Sequence, residues 1–237
     1  MEKLREYVKE YGIELSDEQI SQFSTYYEML IEKNKVMNLT AITEKEDVML
    51  KHFADSIVVA HYHDFFREEC SLIDVGTGAG FPGIPLKIAF PNLKVTLLDS
   101  LNKRVSFLQE VIEELGLKEI QAVHFRAEDA AKKEEFREQF DVCVSRAVAN
   151  LSSLSEYCLP FVKEGGHFVS YKSGEVEEEL KSAKKAITVL GGTVEKTDYL
   201  NLCQKDYMRS FIDIKKISKT PKKYPRKAGL PTKEPIV

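Results

Sequence analysis

From Leu72 to Lys216 the apolar residues fall into short runs separated by longer segments with helical spacing. The runs near 72–75, 94–99, 120–125, 140–145 and 166–171 are rich in Val, Ile, Leu and Phe and are bounded by polar or glycine-containing stretches, which predicts buried strands. Between them, segments near 84–90, 102–115, 151–162 and 175–190 repeat apolar residues at intervals of three and four, which predicts helices. Repeated strand–helix alternation implies an α/β fold whose mainly parallel sheet is covered on both faces. After Gly191-Gly192 two further strand-like runs, near 193–200 and 209–216, follow with no convincing helix between them. They are expected to form an antiparallel pair at the sheet edge, bringing the sheet to seven strands.

The chain ahead of the first strand has a different period. Ser16-Asp17-Glu18-Gln19 has capping-box spacing and precedes Ile20, Phe23, Tyr27, Leu30 and Ile31 on one helical face; Thr43-Glu44-Lys45-Glu46 repeats that spacing before Val48, Leu50 and Phe53. Two or three helices are therefore expected here, with VMNLTAI (36–42) as a loop. The expected organisation is a helical extension over 1–65, a sheet-bearing domain over 66–217 and a basic, proline-containing tail over 218–237.

The turn after the first strand carries the chemistry. LIDVGTGAGFPGIPLKIAF, Leu72 to Phe90, places Gly76, Gly78, Gly80 and Gly83 between a strand and a helix whose first turn tolerates prolines. It satisfies both D-x-G-x-G-x-G and the dinucleotide pattern G-x-G-x-x-G, so a nucleotide-like ligand is implied and its class stays open between two readings. Asp99, at the end of the second strand and 23 residues after Gly76, stands near the spacing at which an acid hydrogen-bonds a ribose diol. Capping of the following helix is an alternative role compatible with that one. Ala127, Glu128 and Asp129 follow the third strand, where a carboxylate or backbone groups can read a base edge. Arg146 follows the apolar run of the fourth, where an unpaired guanidinium is costly; it calls for a ligand anion or an internal acid such as Asp74. His61 and His63 in AHYHDFF are expected on a helical surface, no metal site is expected, and His52 in KHFADS has no role assignable from proximity.

Charge adds a partner class. The net charge is −4, but eight Lys or Arg against Asp213 and Glu234 give residues 213–237 a balance of +6, leaving −10 on the rest. Lys222, Lys223, Arg226 and Lys227 flank Pro221 and Pro225, which are expected to hold them extended at a spacing suited to successive phosphates of a nucleic acid. Cys70, Cys143, Cys158 and Cys203 form no C-x-x-C and are expected as reduced thiols of a cytoplasmic protein, with no membrane span in view.

Together NLTAI (38–42), KHFADS (51–56), DVGTGAGFPGIPLKI (74–88), LLDSLNKRVSFLQEV (97–111), AED (127–129), SRAVA (145–149) and YPRKAGLPTKEPI (224–236) resemble the RsmG family, also called GidB or glucose-inhibited division protein B, across nearly the whole chain. The glycine stretch is shared with many methyltransferases, whereas the ensemble with the YPR-x-x-G-x-P tail is specific. One departure is YKSG (171–174), where the family pattern sets glycine directly after Lys172. The resemblance implies a Rossmann-like methyltransferase sheet, S-adenosyl-L-methionine as methyl donor, and N7 of a guanine in 16S rRNA or the small ribosomal subunit as acceptor; a monomer is expected. It also implies donor contacts at Gly76, Phe81, Ala127, Glu128 and Arg146; the turn itself adds Gly78 and Gly80, and the spacing argument adds Asp99. A nicotinamide-dependent oxidoreductase and a non-catalytic RNA-binding or ribosome-assembly protein are the rival readings.

Overall fold

The computed structural model describes residues 1–146, 149–204 and 207–236. The seven expected strands form as β1 (Ser71–Val75), β2 (Lys94–Asp99), β3 (Ile120–His124), β4 (Phe140–Ser145), β5 (Val162–Ser173), β6 (Gly192–Asn201) and β7 (Met208–Lys216). They lie in one sheet in the order β3-β2-β1-β4-β5-β7-β6. β1 to β5 pair in parallel, and β7 runs antiparallel between β5 and β6. The two-residue period of the strands decides which core each side chain joins. Leu72, Val142, Val144 and Val169 face one cluster, while their neighbours Ile73, Cys143 and Phe168 face the other.

The first cluster is covered by the N-terminal helices α1 (Glu2–Lys9) and α2 (Asp17–Met37), by the short α3 (Lys45–Val48) and α4 (Asp55–Ile57) with a π-helical turn at Met49–Ala54 between them, and by α5 (Gly83–Ala89) and α6 (Asn102–Glu114). The second is covered by α7 (Ala127–Ala130), α8 (Leu151–Cys158), α9 (Glu177–Val189) and the tail, which ends in α10 (Leu230–Lys233). Phe23, Tyr26 and Leu30 of α2 are fully buried, so the extension shares the core of the sheet. Ser16 makes the expected capping box with Gln19, in both directions. The second expected box does not form: α3 is capped by Glu44 with no side-chain bond, and the Thr43 carbonyl instead accepts from Tyr27 Oη at 3.2 Å.

Three further expectations are corrected. The helix expected over 151–162 stops at Cys158, because Pro160 sits in a 3-10 turn over Leu159–Phe161 and the chain enters β5 at Val162. His63 lies buried beside the sheet edge, not on a helical surface. The tail is folded, not extended: Tyr224 N donates to Pro221 O at 2.9 Å and Leu230 N to Lys227 O at 3.0 Å. Docking explains it, since Arg137 donates to the carbonyls of Thr220 and Tyr224, and Ser153 Oγ to that of Pro231.

At Gly83, where α5 starts against the sheet, a Cβ would overlap Leu97 Cδ2 and sit 2.9 Å from Asp74 Oδ2. Gly83→Ala is therefore expected to cost about 1–3 kcal/mol of stability, the usual range for overpacking. Urea denaturation reads this; an unchanged midpoint would mean that the α5–β1 contact yields freely.

Candidate functional site

The glycine turn leaves the carboxyl end of β1 and is tied down on every side by its own neighbours. Gly76 N and Thr77 N both donate to Leu98 O of β2, at 2.9 and 3.2 Å. Asp74 Oδ2 accepts from Thr77 Oγ1 at 2.6 Å and from Gly83 N at 2.8 Å, closing the turn onto the start of α5. Asp99 Oδ2 accepts from Gly78 N at 3.0 Å, and its Oδ1 accepts from Leu101 N at 2.9 Å. From the other face, the fully buried Tyr26 of α2 donates its hydroxyl to Ala79 O at 2.5 Å.

The four glycines divide by what a side chain would meet. Gly76 and Gly78 have φ of +74° and +62°, and a Cβ on either would enter open space. At Gly80, φ +105°, a Cβ would lie 2.6 Å from Ile84 Cδ1 and 2.7 Å from Tyr26 Oη, and Gly83 is likewise hemmed in. Two glycines thus keep the turn open on its outer side, and two let the protein close on itself.

On the open side lies a cleft of about 350 Å³ whose lining includes Gly76, Asp99, Phe125, Ala127, Glu128 and Tyr157. Gly76, Asp99, Ala127 and Glu128, four of the positions expected from sequence, are brought together there. Glu128 is buried, and its Oε1 accepts from Gly229 N of the tail at 3.0 Å. Arg226, expected to meet phosphate, is committed elsewhere: its Nε and Nη2 form a fork on the fully buried Glu156 of α8 at 2.9 and 2.7 Å, and its backbone N donates to the same carboxylate. Lys222, Lys223 and Lys227 remain exposed.

Phe81 and Arg146 do not line the cleft. They sit across the turn with residues of the N-terminal extension. Arg146 Nη1 donates to Asp55 Oδ2 at 2.8 Å and to Lys51 O at 3.3 Å, while its guanidinium lies 5.0 Å over the Phe81 ring. His52 stacks on Phe81 with centroids 4.5 Å apart, and its Nε2 is 2.8 Å from Thr40 Oγ1. Asp55, 1% exposed, also receives Arg209 of β7 through Nε and Nη2 at 2.5 and 3.1 Å. The internal acid for Arg146 is thus Asp55, not Asp74. Sequence reading missed the role of Arg209 altogether, because nothing local in MRSFIDIKK marks that cation as a partner of Asp55.

Burial shifts two groups in opposite directions. Asp74 is raised to about 7 by burial, which outweighs the bonds from Thr77 and Gly83; its Oδ1 is buried with no hydrogen-bond partner. His52 is lowered to about 3, by burial first and then by the Arg146 charge, so its ring is neutral at physiological pH.

A parallel sheet with one reversed strand next to its edge and a ligand-sized cleft beside a glycine turn define the Rossmann-like methyltransferase class. M. jannaschii TYW2, solved in complex with AdoMet, shares this fold with a TM-score of 0.51 at 15% identity, over 64% of this chain and 71% of that one. The model of the family described as rRNA small subunit methyltransferase G matches residues 19–208, and the chain belongs to that family. The Ribosomal RNA small subunit methyltransferase G of Alkaliphilus metalliredigens is 53% identical over 233 residues, covering 98% of this chain and 97% of the relative. The protein of that name from Lachnoclostridium phytofermentans is 54% identical, covering 95% and 93%. The oxidoreductase reading is thereby set aside.

The two shifted groups yield a pH prediction. An unfolded aspartate titrates near 3.9, so between about pH 4 and 7 the native state holds the Asp74 proton that the unfolded chain has lost. That contribution to stability falls as pH rises through the window. His52 acts in the opposite sense, because between about pH 3 and 6.5 only the unfolded chain binds its proton, so its contribution is lost as pH falls. Asp74→Asn is expected to unmask the histidine: the stability of the wild type relative to the variant should decline from pH 4 to 7. Parallel denaturation profiles for the two proteins would remove Asp74 as a titrating group.

Proposed function

We propose that this protein transfers the methyl group of S-adenosyl-L-methionine to N7 of a guanine in small-subunit (16S) rRNA, in the cytoplasm. The observation that carries this reading is the open glycine turn set over the cleft that holds Asp99 and Glu128, in a chain that belongs to the rRNA small subunit methyltransferase G family. Bound there, S-adenosyl-L-methionine supplies an electrophilic methyl on a sulfonium centre.

The chain's own groups suit that donor. Gly76 and Gly78 give close approach, and the Asp99 carboxylate, held by Gly78 N, Leu101 N and Arg104 Nη1, lines the cleft at a spacing suited to a ribose diol. Ala127 and Glu128 stand where a base edge would be read, with Glu128 held in place by the Gly229 amide. Gly80 contributes by letting the turn pack, and Phe81 and Arg146 act from across it. His52 and Arg146 pack on the buried Phe81 ring and brace the turn from behind. Guanine N7 offers a free lone pair on the major-groove edge, so no residue has to remove a proton. With its pKa lowered to about 3, His52 is a poor proton acceptor, which fits a site that orients its reactants and needs no base. Well-oriented groups can account for roughly 7–11 kcal/mol of a barrier.

Lys222, Lys223 and Lys227, exposed on the docked tail, are the proposed phosphate contacts. Arg226 is assigned instead to holding that tail against α8 and, through Gly229, against Glu128.

Purified protein incubated with labelled S-adenosyl-L-methionine and small subunits from a strain lacking it is expected to label 16S rRNA at a guanine that becomes sensitive to N7-specific strand cleavage. No incorporation would leave a non-catalytic RNA-binding protein. Gly76→Val is expected to abolish donor binding by calorimetry in a folded protein, and Asp99→Ala to weaken it by about 1–3 kcal/mol. Ordinary donor affinity in both would displace the donor from this cleft.

The tail assignment separates from RNA binding. Arg226→Gln leaves Glu156 buried without its cation and is expected to cost about 3–5 kcal/mol of stability and to weaken donor binding. Replacing Lys222, Lys223 and Lys227 with Gln should instead flatten the salt dependence of rRNA binding by roughly 0.7–0.9 in log–log slope for each phosphate that is no longer neutralised, with donor affinity unchanged. Equal effects of the two variants on the donor would erase this division.

A further inference from the structure

On the far edge of the sheet, away from the cleft, three strands converge on a group of metal-ligating side chains. His167 of β5 and Asp213 of β7 meet with Nδ1 at 2.9 Å from Oδ1 and 3.2 Å from Oδ2. Glu195 of β6 brings Oε2 to 3.5 Å from the same nitrogen. The ligand atoms of these three residues lie within 4.8 Å of one another. Glu195 gets there through a bulge. Val194 pairs with Ile214 and Lys196 with Asp213, so Glu195 is the extra residue between two successive positions of β7. Bulges of this kind re-aim a side chain and recur beside functional sites.

A second observation is independent of that triad. His63 is 4% exposed, its Nδ1 reaches Asp213 Oδ2 at 3.4 Å, and its Nε2, 3.6 Å from Asp198 Oδ2, is buried with no hydrogen-bond partner. Burying an imidazole nitrogen without a partner is unfavourable; Nε2 faces Asp198, and it is Nδ1 that turns toward the Asp213 carboxylate shared with His167. Phe65 packs against both rings, with centroids 5.0 Å from His63 and 5.0 Å from His167, and so fixes the two imidazoles around the Asp213 carboxylate.

We propose that His167, Asp213 and Glu195, with His63 behind the same carboxylate, form a binding site for one transition-metal dication of the zinc class. Two donor atoms each about 2.1 Å from an ion are separated by about 3.0–3.4 Å at octahedral to tetrahedral angles. The His167–Asp213 and His167–Glu195 separations of 2.9 and 3.5 Å fall close to that interval. Imidazole with carboxylate selects zinc, nickel or cobalt over magnesium, which takes oxygen ligands and keeps its waters. Lys215 lies 3.4 Å from Glu195 Oε1 and Lys196 3.2 Å from Asp198 Oδ2, so the lysines offset part of the acidic charge. An ion here ties the 63–67 segment of the N-terminal extension to the β5–β7–β6 edge, so its effect is on stability and not on the transferred methyl.

The test uses the full chain, stripped with a chelator and dialysed. Zn²⁺ and Co²⁺ are titrated by calorimetry, with Mg²⁺ as control, and thermal melting is followed with and without each ion. Saturable binding of a single ion, a rise in Tm with Zn²⁺ but not Mg²⁺, and Co²⁺ visible absorption of nitrogen–oxygen ligation are expected. Glu195→Gln, at an exposed bulge position that leaves the core alone, and His167→Gln should each weaken Zn²⁺ binding roughly tenfold or more. Glu195→Gln should melt like the wild type in chelator, which separates ligand loss from misfolding. Absence of saturable binding, or binding that both variants retain unchanged, overturns the site and leaves a hydrogen-bonded histidine–carboxylate cluster.

Discussion

The architecture around the site depends on one buried carboxylate. Asp55 is supplied by the N-terminal extension, and its two oxygens are shared by Arg146, just beyond β4, and Arg209 of β7. A carboxylate taken so far out of water is tolerated only because two guanidinium groups and their hydrogen bonds replace its hydration. The arrangement fixes three remote parts of the chain at one point. The π-helical turn over Met49–Ala54 matters here, since a single Arg146 guanidinium contacts Lys51 O, His52 Nδ1 and Asp55 Oδ2 in succession. Wider turns of this type are concentrated at functional sites, where regular helical spacing would not aim the same groups together.

Around that point the glycine turn acts as a partition. Its outer side is kept open by Gly76 and Gly78 and faces Asp99 and Glu128. Its inner side is filled by Tyr26, Phe53, Phe81 and His52, whose rings pack within 4.5–6.1 Å of one another where they touch. The Tyr26 hydroxyl on Ala79 O is the polar link through which a residue of the extension holds a loop of the sheet domain. An enzyme that relies on orientation rather than on an acid or base needs its donor loop held rigidly, because small misplacements of reacting atoms are expensive. The extension supplies that rigidity, and for this reason it shares a core with the sheet instead of forming a separate body.

What is legible in the sequence follows from the range of each signal. Strand and helix periods are local, and all seven strands and the long helices lie close to where those periods place them. The glycine turn and Asp99 are legible because they lie on consecutive strand ends, and the spacing of 21 residues between Gly78 and Asp99 is short enough to be a pattern. Partners separated by longer spans leave no such trace. Arg146 and Asp55 are 91 residues apart, Arg209 and Asp55 are 154 apart, and Arg226 and Glu156 are 70 apart. A charged residue announces that it needs a counter-ion, but pattern alone does not name which one. For that reason the strand pattern points Arg146 to Asp74, its neighbour in the sheet, whereas the folded extension sets Asp55 beside it.

The tail shows the same limit in terms of charge. Counting Lys and Arg treats each as a solvated cation, yet Arg226 is taken up by Glu156, and Lys216 donates to Leu159 O, Val162 O and Thr220 Oγ1 with its pKa lowered to about 8 by burial. Prolines at 221 and 225 suggest an extended strap, because their effect on backbone angles is local and the buried acid that turns the strap back is not. Once docked, the segment has two faces with different consequences. Its inner face braces α8 and meets Glu128 at the rim of the cleft, while its outer face carries Lys222, Lys223 and Lys227. A cation on a loose tail would raise affinity for any polyanion from many directions. The same cations on a docked tail stand at fixed positions relative to the cleft, so under the proposed phosphate contact attraction to an RNA backbone would become orientation of it.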